Sequence, residues 1–360
     1  MLLVFVLMAG FYGLGAIMGV PKAQRWALIG VLLAAVLGIL VVFPQGHPLR
    51  AFFGGTPAPY LLLIGAGAVV FAYRTFLAGL KSRAVKGAVE QVPAPSGSFS
   101  ASELDRYARH IILREVGGPG QKKLKAARVL VLGAGGLGSP VLQYLAAAGV
   151  GTIGVIDDDA VENANLQRQI IHRDQDIGMP KVFSAEAAML LQNPYITVRP
   201  YHRRLTSEIA HDLFSDYDVI VDGADNFETR YLANRVAAEL GKPLISGALS
   251  QWEGQLSVFD PAHGTPCYQC IFPSAPADGL APSCAEAGVI GPLPGVVGAM
   301  MAQEVIKLIT GAGTTLRGEM LIYDGLYGET RKLSLRKRTD CPVCEHLCGQ
   351  VSGQGAAPAQ

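Results

Sequence analysis

The chain has 360 residues, and its 30 Lys and Arg against 29 Asp and Glu leave a net charge of +1, so neither polyanion binding nor an acidic tail is indicated and nucleic acid is not an expected partner. The mean hydropathy of +0.31 hides a split: Lys22, Arg25, Arg50 and Arg74 are the charged residues of positions 1–80, and the first acidic residue is Glu90. The apolar excess therefore sits at one end of an otherwise ordinary soluble composition, which excludes both a purely soluble enzyme and a polytopic transporter.

Three apolar runs open the chain. Met1 to Val20 and Trp26 to Phe43 carry no charge, and Pro59 to Leu80 carries Arg74 near its far end, where the stem can snorkel. Each is about long enough to cross a bilayer, so residues 1–88 are expected to form a membrane segment of three transmembrane helices. The first run has neither a basic leading region nor a small-residue cleavage site, which argues against a signal peptide. Lys22 and Arg25 fall between the first two runs, and Lys81, Arg83 and Lys86 follow the third. The positive-inside rule then places the N-terminus outside and residues 81 onward in the cytoplasm, at an inner or plasma membrane.

Residues 89–101, containing EQVPAPSGSFS, have the composition of a flexible linker. A second domain over 102–348 begins with a helix expected from Ser102 through LDRYARHIIL, where Leu104, Tyr107, Ala108, Ile111 and Ile112 recur at helical spacing. Strand-like and helical runs then alternate: RVLVLG at 128–133, PVLQYLAAAG at 140–149, TIGVID at 152–157, YDVIVDGAD at 217–225, YLANRVAAELG at 231–241 and PLISGAL at 243–249. Strands apolar on both faces and separated by helices predict an α/β fold with a doubly wound, mostly parallel, Rossmann-like sheet. Residues 349–360, rich in Gly, Ala and Gln, are expected to be a disordered tail.

The first strand runs into Gly133, Gly135, Gly136 and Gly138 and then a helix, which is G-x-G-x-x-G in the context that gives it meaning: backbone brought close to phosphate at a helix N-terminus. The second strand ends about 20 residues further on at Asp157, where a carboxylate can take ribose hydroxyls. A tight turn beside a solvated acid cluster is the bland alternative. The motif suggests a nicotinamide or flavin oxidoreductase first, but Asn165, Arg168 and Lys181 follow the ribose acid with more positive charge than a diphosphate needs. A triphosphate requires such charge, unless both cations are ordinary surface bases. Asp225 and Asn226 close the fourth run, either as a Mg²⁺ site at a strand end or as a turn and helix cap before Thr229.

All six cysteines lie between Cys267 and Cys348. Cys267-x-x-Cys270 and Cys341-x-x-Cys344 are two knuckles of equal spacing, a strong signal for structural Zn²⁺. Cys284 is left over after a Gly/Pro/Ala-rich loop, as a nucleophile or an unremarkable thiol.

Together RYARHIIL, GAGGLGSP, IDDDAVENANLQRQ, GMPKV, DGADNFETR, EGQLSVF, CYQC, CAEAGVIGPLPGVVG and CPVC, in this order over about two thirds of the chain, resemble the MoeB/ThiF/HesA family of ubiquitin-activating-type adenylyltransferases. The resemblance implies an enzyme that uses ATP and Mg²⁺ to adenylate the C-terminal glycine of a ubiquitin-like sulfur-carrier protein ending in Gly-Gly. The molybdopterin-synthase type is favoured, with the thiamine-thiazole type as alternative. It further implies phosphate contacts from Gly136 and its neighbours, ribose contact by Asp157, and phosphate-chain contacts from Asn165, Gln167, Arg168 and Lys181. Asp225 would hold Mg²⁺ beside Asn226, and Arg109 would reach the neighbouring site of a homodimer. Cys284 matches a loop cysteine that is covalent in some members. No sulfurtransferase domain follows Cys344, so a separate sulfur donor is expected. The three apolar runs depart from the family pattern. Rival readings are an NAD or FAD oxidoreductase and a non-catalytic membrane adaptor.

Overall fold

The computed structural model describes residues 2–88, 99–276 and 287–349. Cys284 and the tail from 350 onward lie outside the described residues, as does most of the expected linker. The chain divides into two units, Met1–Ala94 and Pro95–Gln360.

In the first unit, helices α1 (Leu2–Ile17), α2 (Lys22–Val42), α3 (Pro48–Phe52) and α4 (Ala58–Ala88) follow the apolar runs. Stretches Gln24–Val42 and Ala58–Phe76 are long and apolar enough to cross a membrane, by length and composition, and only 17% and 6% of their residues are buried. Helix α1 has 16 residues, about 24 Å at 1.5 Å per residue, which falls short of a hydrocarbon core of about 30 Å. The buried cluster of this unit is small: Val4, Val36, Leu40 and Tyr60.

The second unit opens differently from the single helix expected over LDRYARHIIL. Ser100, rather than Ser102, is the N-cap. Its hydroxyl accepts from the Glu103 N–H while the Glu103 carboxylate accepts from the Ser100 N–H, a reciprocal box that fixes the start. The helical run then splits into α5 (Ala101–Arg106) and α6 (Ala108–Ile111) at Tyr107, whose buried phenol oxygen accepts from Asn193 Nδ2 at 2.8 Å. Tyr107 itself has φ −95° and ψ 7°, outside helical geometry.

After α7 (Gly117–Ala126) come β1 (Arg128–Leu132), α8 (Gly138–Ala148), β2 (Thr152–Ile156), α9 (Lys181–Gln192), β3 (Thr197–Tyr201), α10 (Ser207–Ser215), β4 (Val219–Asp222), α11 (Phe227–Glu239), β5 (Leu244–Leu249), β6 (Glu253–Phe259), α12 (Tyr268–Ile271), α13 (Pro292–Thr310), β7 (Glu319–Asp324) and β8 (Glu329–Ser334). They form a sheet in the order β3-β2-β1-β4-β5-β6-β7-β8. The first five are parallel, with Val131 in register between Val155 and Val221, while β6, β7 and β8 join antiparallel. The sheet is thus parallel-dominated with an antiparallel extension. EGQLSVF is β6, a strand whose hairpin-like return from β5 the periodicity did not separate.

Alternation along β1 explains its apolar run. Val129 and Val131 enter a core with Leu142, Leu145, Val182 and Val305, whereas Leu130 and Leu132 enter another with Phe214, Tyr217 and Ile220. Helices cover both faces, so period-2 polarity has no reason to appear. Helix α13 is as long and apolar as a membrane span, yet half of it is buried and its Val297, Met301 and Val305 pack in the first core. Strand order reverses between β1 and β4, and in open parallel sheets ligands bind at such a reversal, outside the strands' C-terminal ends.

Candidate functional site

At that reversal lies a cavity of about 880 Å³. Its walls include Gly133, Gly135, Gly136, Asp157, Arg168, Lys181, Asp225 and Asn226, eight residues brought together from five segments of sequence.

The glycines do different work. Gly133 has φ +91°, and a Cβ there would stand 3.2 Å from the Gly223 carbonyl oxygen across the β1–β4 reversal. Gly138 is buried beneath the loop, where a Cβ would fall 2.0 Å from the Gly133 carbonyl oxygen. Its role is to let the loop close onto α8, and it does not line the cavity. Gly135 and Gly136 present their backbone to the cavity at the start of that helix, where N–H groups and the helix dipole favour an anion.

Asp157 follows β2. Its carboxylate accepts from the Ala134 N–H at 2.7 Å and from the Asp159 N–H at 2.9 Å, which ties the glycine loop to the next strand. Burial pushes this carboxyl above its ordinary range, against the lowering by Lys181 and the two backbone donors. Lys181 begins α9 with its side chain 5% exposed, and its amine is paired with Asp159 at 2.6 Å. A buried ammonium is held here by an exposed carboxylate that can swing away when a stronger anion arrives.

Arg168 reaches the cavity from the turn after the 3₁₀ segment Asn163–Asn165, and its Nη2 donates to Asn165 Oδ1 at 2.9 Å. Asn165 itself does not line the cavity and acts by orienting Arg168. Gln167 is exposed and turned to Gly291, where a Cβ would meet its Oε1 at 2.8 Å, so it too stands outside the lining. Asp225 is exposed to the cavity and has no cation partner among the described residues. Asn226 is the N-cap of α11, accepting from the Thr229 N–H at 2.9 Å. Arg109 is exposed on α6 and is absent from the lining.

Several residues escaped the sequence reading. Arg230, buried on α11, donates to Asp222 Oδ2, Ser246 Oγ and the carbonyls of Ala224 and Gly247. It clamps the segment that carries Asp225. The available signal was a charged residue within an apolar strand end, Asp222, matched by an arginine one helix later. Arg203 and Arg204 add positive charge to the lining. His172 reaches behind the glycine loop, with Nε2 2.9 Å from the Ala134 carbonyl and Nδ1 2.9 Å from Ser184 Oγ; burial lowers its tendency to protonate. A lone histidine in NLQRQIIH gave no such hint.

Away from the cavity, Cys267, Cys270, Cys341 and Cys344 are all buried and their sulfurs lie within 4.8 Å of one another. Sulfur separations of 3.8, 3.5 and 3.4 Å approach the edge of about 3.8 Å expected for a tetrahedron with Zn–S near 2.3 Å. Asn234 Nδ2 donates to Cys267 Sγ at 3.7 Å while its Oδ1 accepts from the Tyr268 N–H. This is the outer support that a metal–thiolate site uses.

The ThiF family pattern matches residues 107–343. A sulfur carrier protein adenylyltransferase of Thermus thermophilus is 51% identical over 250 residues, covering 68% of this chain and 92% of that protein. The SAMP-activating enzyme E1 of Haloferax volcanii is 48% identical over 247 residues, covering 69% and 91%. Among solved structures, Escherichia coli MccB with ATP aligns with a TM-score of 0.57 at 25% identity, covering 63% of this chain and 69% of that one.

Proposed function

The chain belongs to the ThiF family, and from that premise we propose that it is a nucleotidyltransferase that adenylates the C-terminal glycine of a ubiquitin-like sulfur-carrier protein. The observation that carries this reading is a cavity in which a glycine loop, the Asp157 carboxylate, several cations and an Asp225 without a cation partner among the described residues converge.

The chemistry sets an electrostatic problem. A carboxylate oxygen must attack the α-phosphorus of ATP, and the bond to the bridging α–β oxygen must break so that pyrophosphate leaves with the electron pair. Both reactants are anions, so neutralisation and in-line placement supply most of the acceleration. Gly135 and Gly136 offer backbone donors, Arg168 a fork held by Asn165, and Lys181 an ammonium once Asp159 yields it. Asp157 takes the ribose. Arg230 keeps the Asp225 segment in place through two carbonyls and Asp222. Asp225, exposed to the cavity and free of protein cations among the described residues, suits Mg²⁺. When bound, that ion neutralises phosphate charge.

Further extensions belong to the same proposal. Arg109 lies outside the cavity of its own chain, and a homodimer would bring it to the partner's cavity. The four thiols would hold one structural Zn²⁺, and residues 1–88 would anchor the enzyme with its catalytic domain in the cytoplasm.

The test is exchange of labelled pyrophosphate into ATP by the full-length chain, using molybdopterin-type and thiazole-type carriers, each with and without its last glycine. Exchange that depends on the terminal glycine of the molybdopterin-type carrier is the expected result. Dependence on the thiazole-type carrier would change the partner and keep the chemistry, whereas ATP binding without exchange on any carrier would favour the adaptor.

A further inference from the structure

His172 is buried behind the glycine loop, and no step of the adenylation uses it. Its Nε2 stands 2.9 Å from the Ala134 carbonyl oxygen, and its Nδ1 stands 2.9 Å from Ser184 Oγ on α9. A carbonyl only accepts, so Nε2 carries the proton of that bond. The Ser184 hydroxyl also lies 2.9 Å from Asp176 Oδ2. It can therefore donate to Nδ1 of a neutral ring, or accept from Nδ1 of a charged ring while donating to Asp176. The Nε2–H persists in both states. Burial makes this ring harder to protonate than an ordinary imidazole, with Lys181 acting the same way and the Ala134 bond and Asp176 opposing.

Ala134 is buried between Gly133 and Gly135 and is held at both ends. Its N–H donates to Asp157, and its carbonyl accepts from His172. A trans peptide points its C=O and the following N–H in opposite directions. A carbonyl drawn inward to His172 thus turns the Gly135 N–H outward. Gly135 lines the cavity, and that N–H has no acceptor among the described residues. Ser139 does not replace His172, because its hydroxyl lies 3.5 Å from the Ala134 oxygen and donates to the Gly135 carbonyl at 2.7 Å. Without the imidazole, the Ala134 carbonyl would be buried unmatched, and Gly135, having no Cβ, leaves a flip of that peptide sterically open. The flip would turn an oxygen toward the cavity in place of an N–H. We propose that His172 is a positioning residue that sets the Ala134–Gly135 peptide, so that the Gly135 N–H faces an anion in the cavity. It acts from behind the loop and touches no ligand, and its use rests on the nucleotide reading of the cavity.

Two variants of equal side-chain length separate this role from mere packing. His172→Gln can still donate to the Ala134 carbonyl, whereas His172→Met cannot. In the full-length protein, His172→Met should raise the Kd for MgATP about five-fold or more, while the Kd for adenosine, which carries no phosphate, stays within about two-fold. His172→Gln should recover most of the MgATP affinity. A smaller loss in His172→Met, no recovery in His172→Gln, or equal losses of MgATP and adenosine would overturn the assignment. The wild-type ring supplies a second measurement, which also decides the matter if His172→Met does not fold. At neutral pH the nitrogen NMR signals of His172 should show Nε2 protonated, and a proton on Nδ1 alone would overturn the assignment as well. A wild type that binds neither MgATP nor adenosine would instead remove the nucleotide reading of the cavity, and this inference with it.

Discussion

Asp157 joins the glycine loop to β2, and burial sets the pH at which its carboxyl ionises. Its carboxyl is raised above the ordinary value of about 4, so the folded chain holds that proton more tightly than the unfolded one. The resulting stability is complete below the ordinary value and is lost as pH rises through the raised one. On the proposed function, nucleotide binding should run the other way, since a ribose hydroxyl would donate to the carboxylate. Melting curves of wild type and Asp157→Asn between about pH 4 and 8 should therefore converge in shape only outside this window; parallel profiles throughout would remove Asp157 as the titrating group. Asp225 makes a cleaner case. It is exposed, so Asp225→Ala should leave stability within about 0.5 kcal/mol while lowering pyrophosphate exchange by about 100-fold or more. Asp157 and Asp225 were legible because each ends a strand run, where ligands meet such a sheet. Arg230 and His172 were not, because their partners are side chains and main-chain carbonyls of other segments that only folding brings to them, which no spacing encodes.

The strand, loop and helix from β1 to α8 show how one motif holds glycines of different meaning. A Cβ at Gly138 would strike the backbone of Gly133 at 2.0 Å, and backbone cannot step aside. Gly138→Ala should destabilise the domain by about 1–3 kcal/mol, measured by denaturant unfolding. Gly135→Ala meets only Gln169 Nε2 at 3.7 Å, so its fold should hold while its MgATP affinity falls. Equal stabilities for the two variants would contradict this division. Apolar helices repeat the lesson. Periodicity read α2, α4 and the first helix alike, and it would read α13 the same way. Burial separates them, since α13 packs beneath the sheet while α2 and α4 leave Val31, Val42, Leu62 and Val69 exposed.

Those exposed helices and the cysteine cluster bear on how the chain lives as a unit. Removing residues 1–90 should turn a protein of the membrane fraction into a soluble one, because stretches so little buried need lipid or a partner to cover them. A full-length chain that stays soluble without detergent would refute the anchor. The thiols of Cys267 and Cys270 come from around α12, and those of Cys341 and Cys344 from the segment after β8, so one ion would staple two distant pieces of chain. Metal analysis should find about one zinc per chain, and Cys341→Ser should lower the melting temperature. A wild type that is metal-free and equally stable would count against zinc.

The sequence by itself determined the alternation of strands and helices, the glycine loop, the acid after β2, the paired cysteines and the family, because each is a local pattern whose physics is complete within a few dozen residues. It also named eight of the residues that line the cavity. Only the tertiary structure decided that the sheet continues into three antiparallel strands, that Asn165 accepts from Arg168 without lining the cavity, that Gln167 and Gly138 stand outside it, and that Arg230 belongs to it. These depend on which carbonyls, sulfurs and side chains meet across the sheet. Such meetings are fixed by packing between segments that the chain order keeps apart.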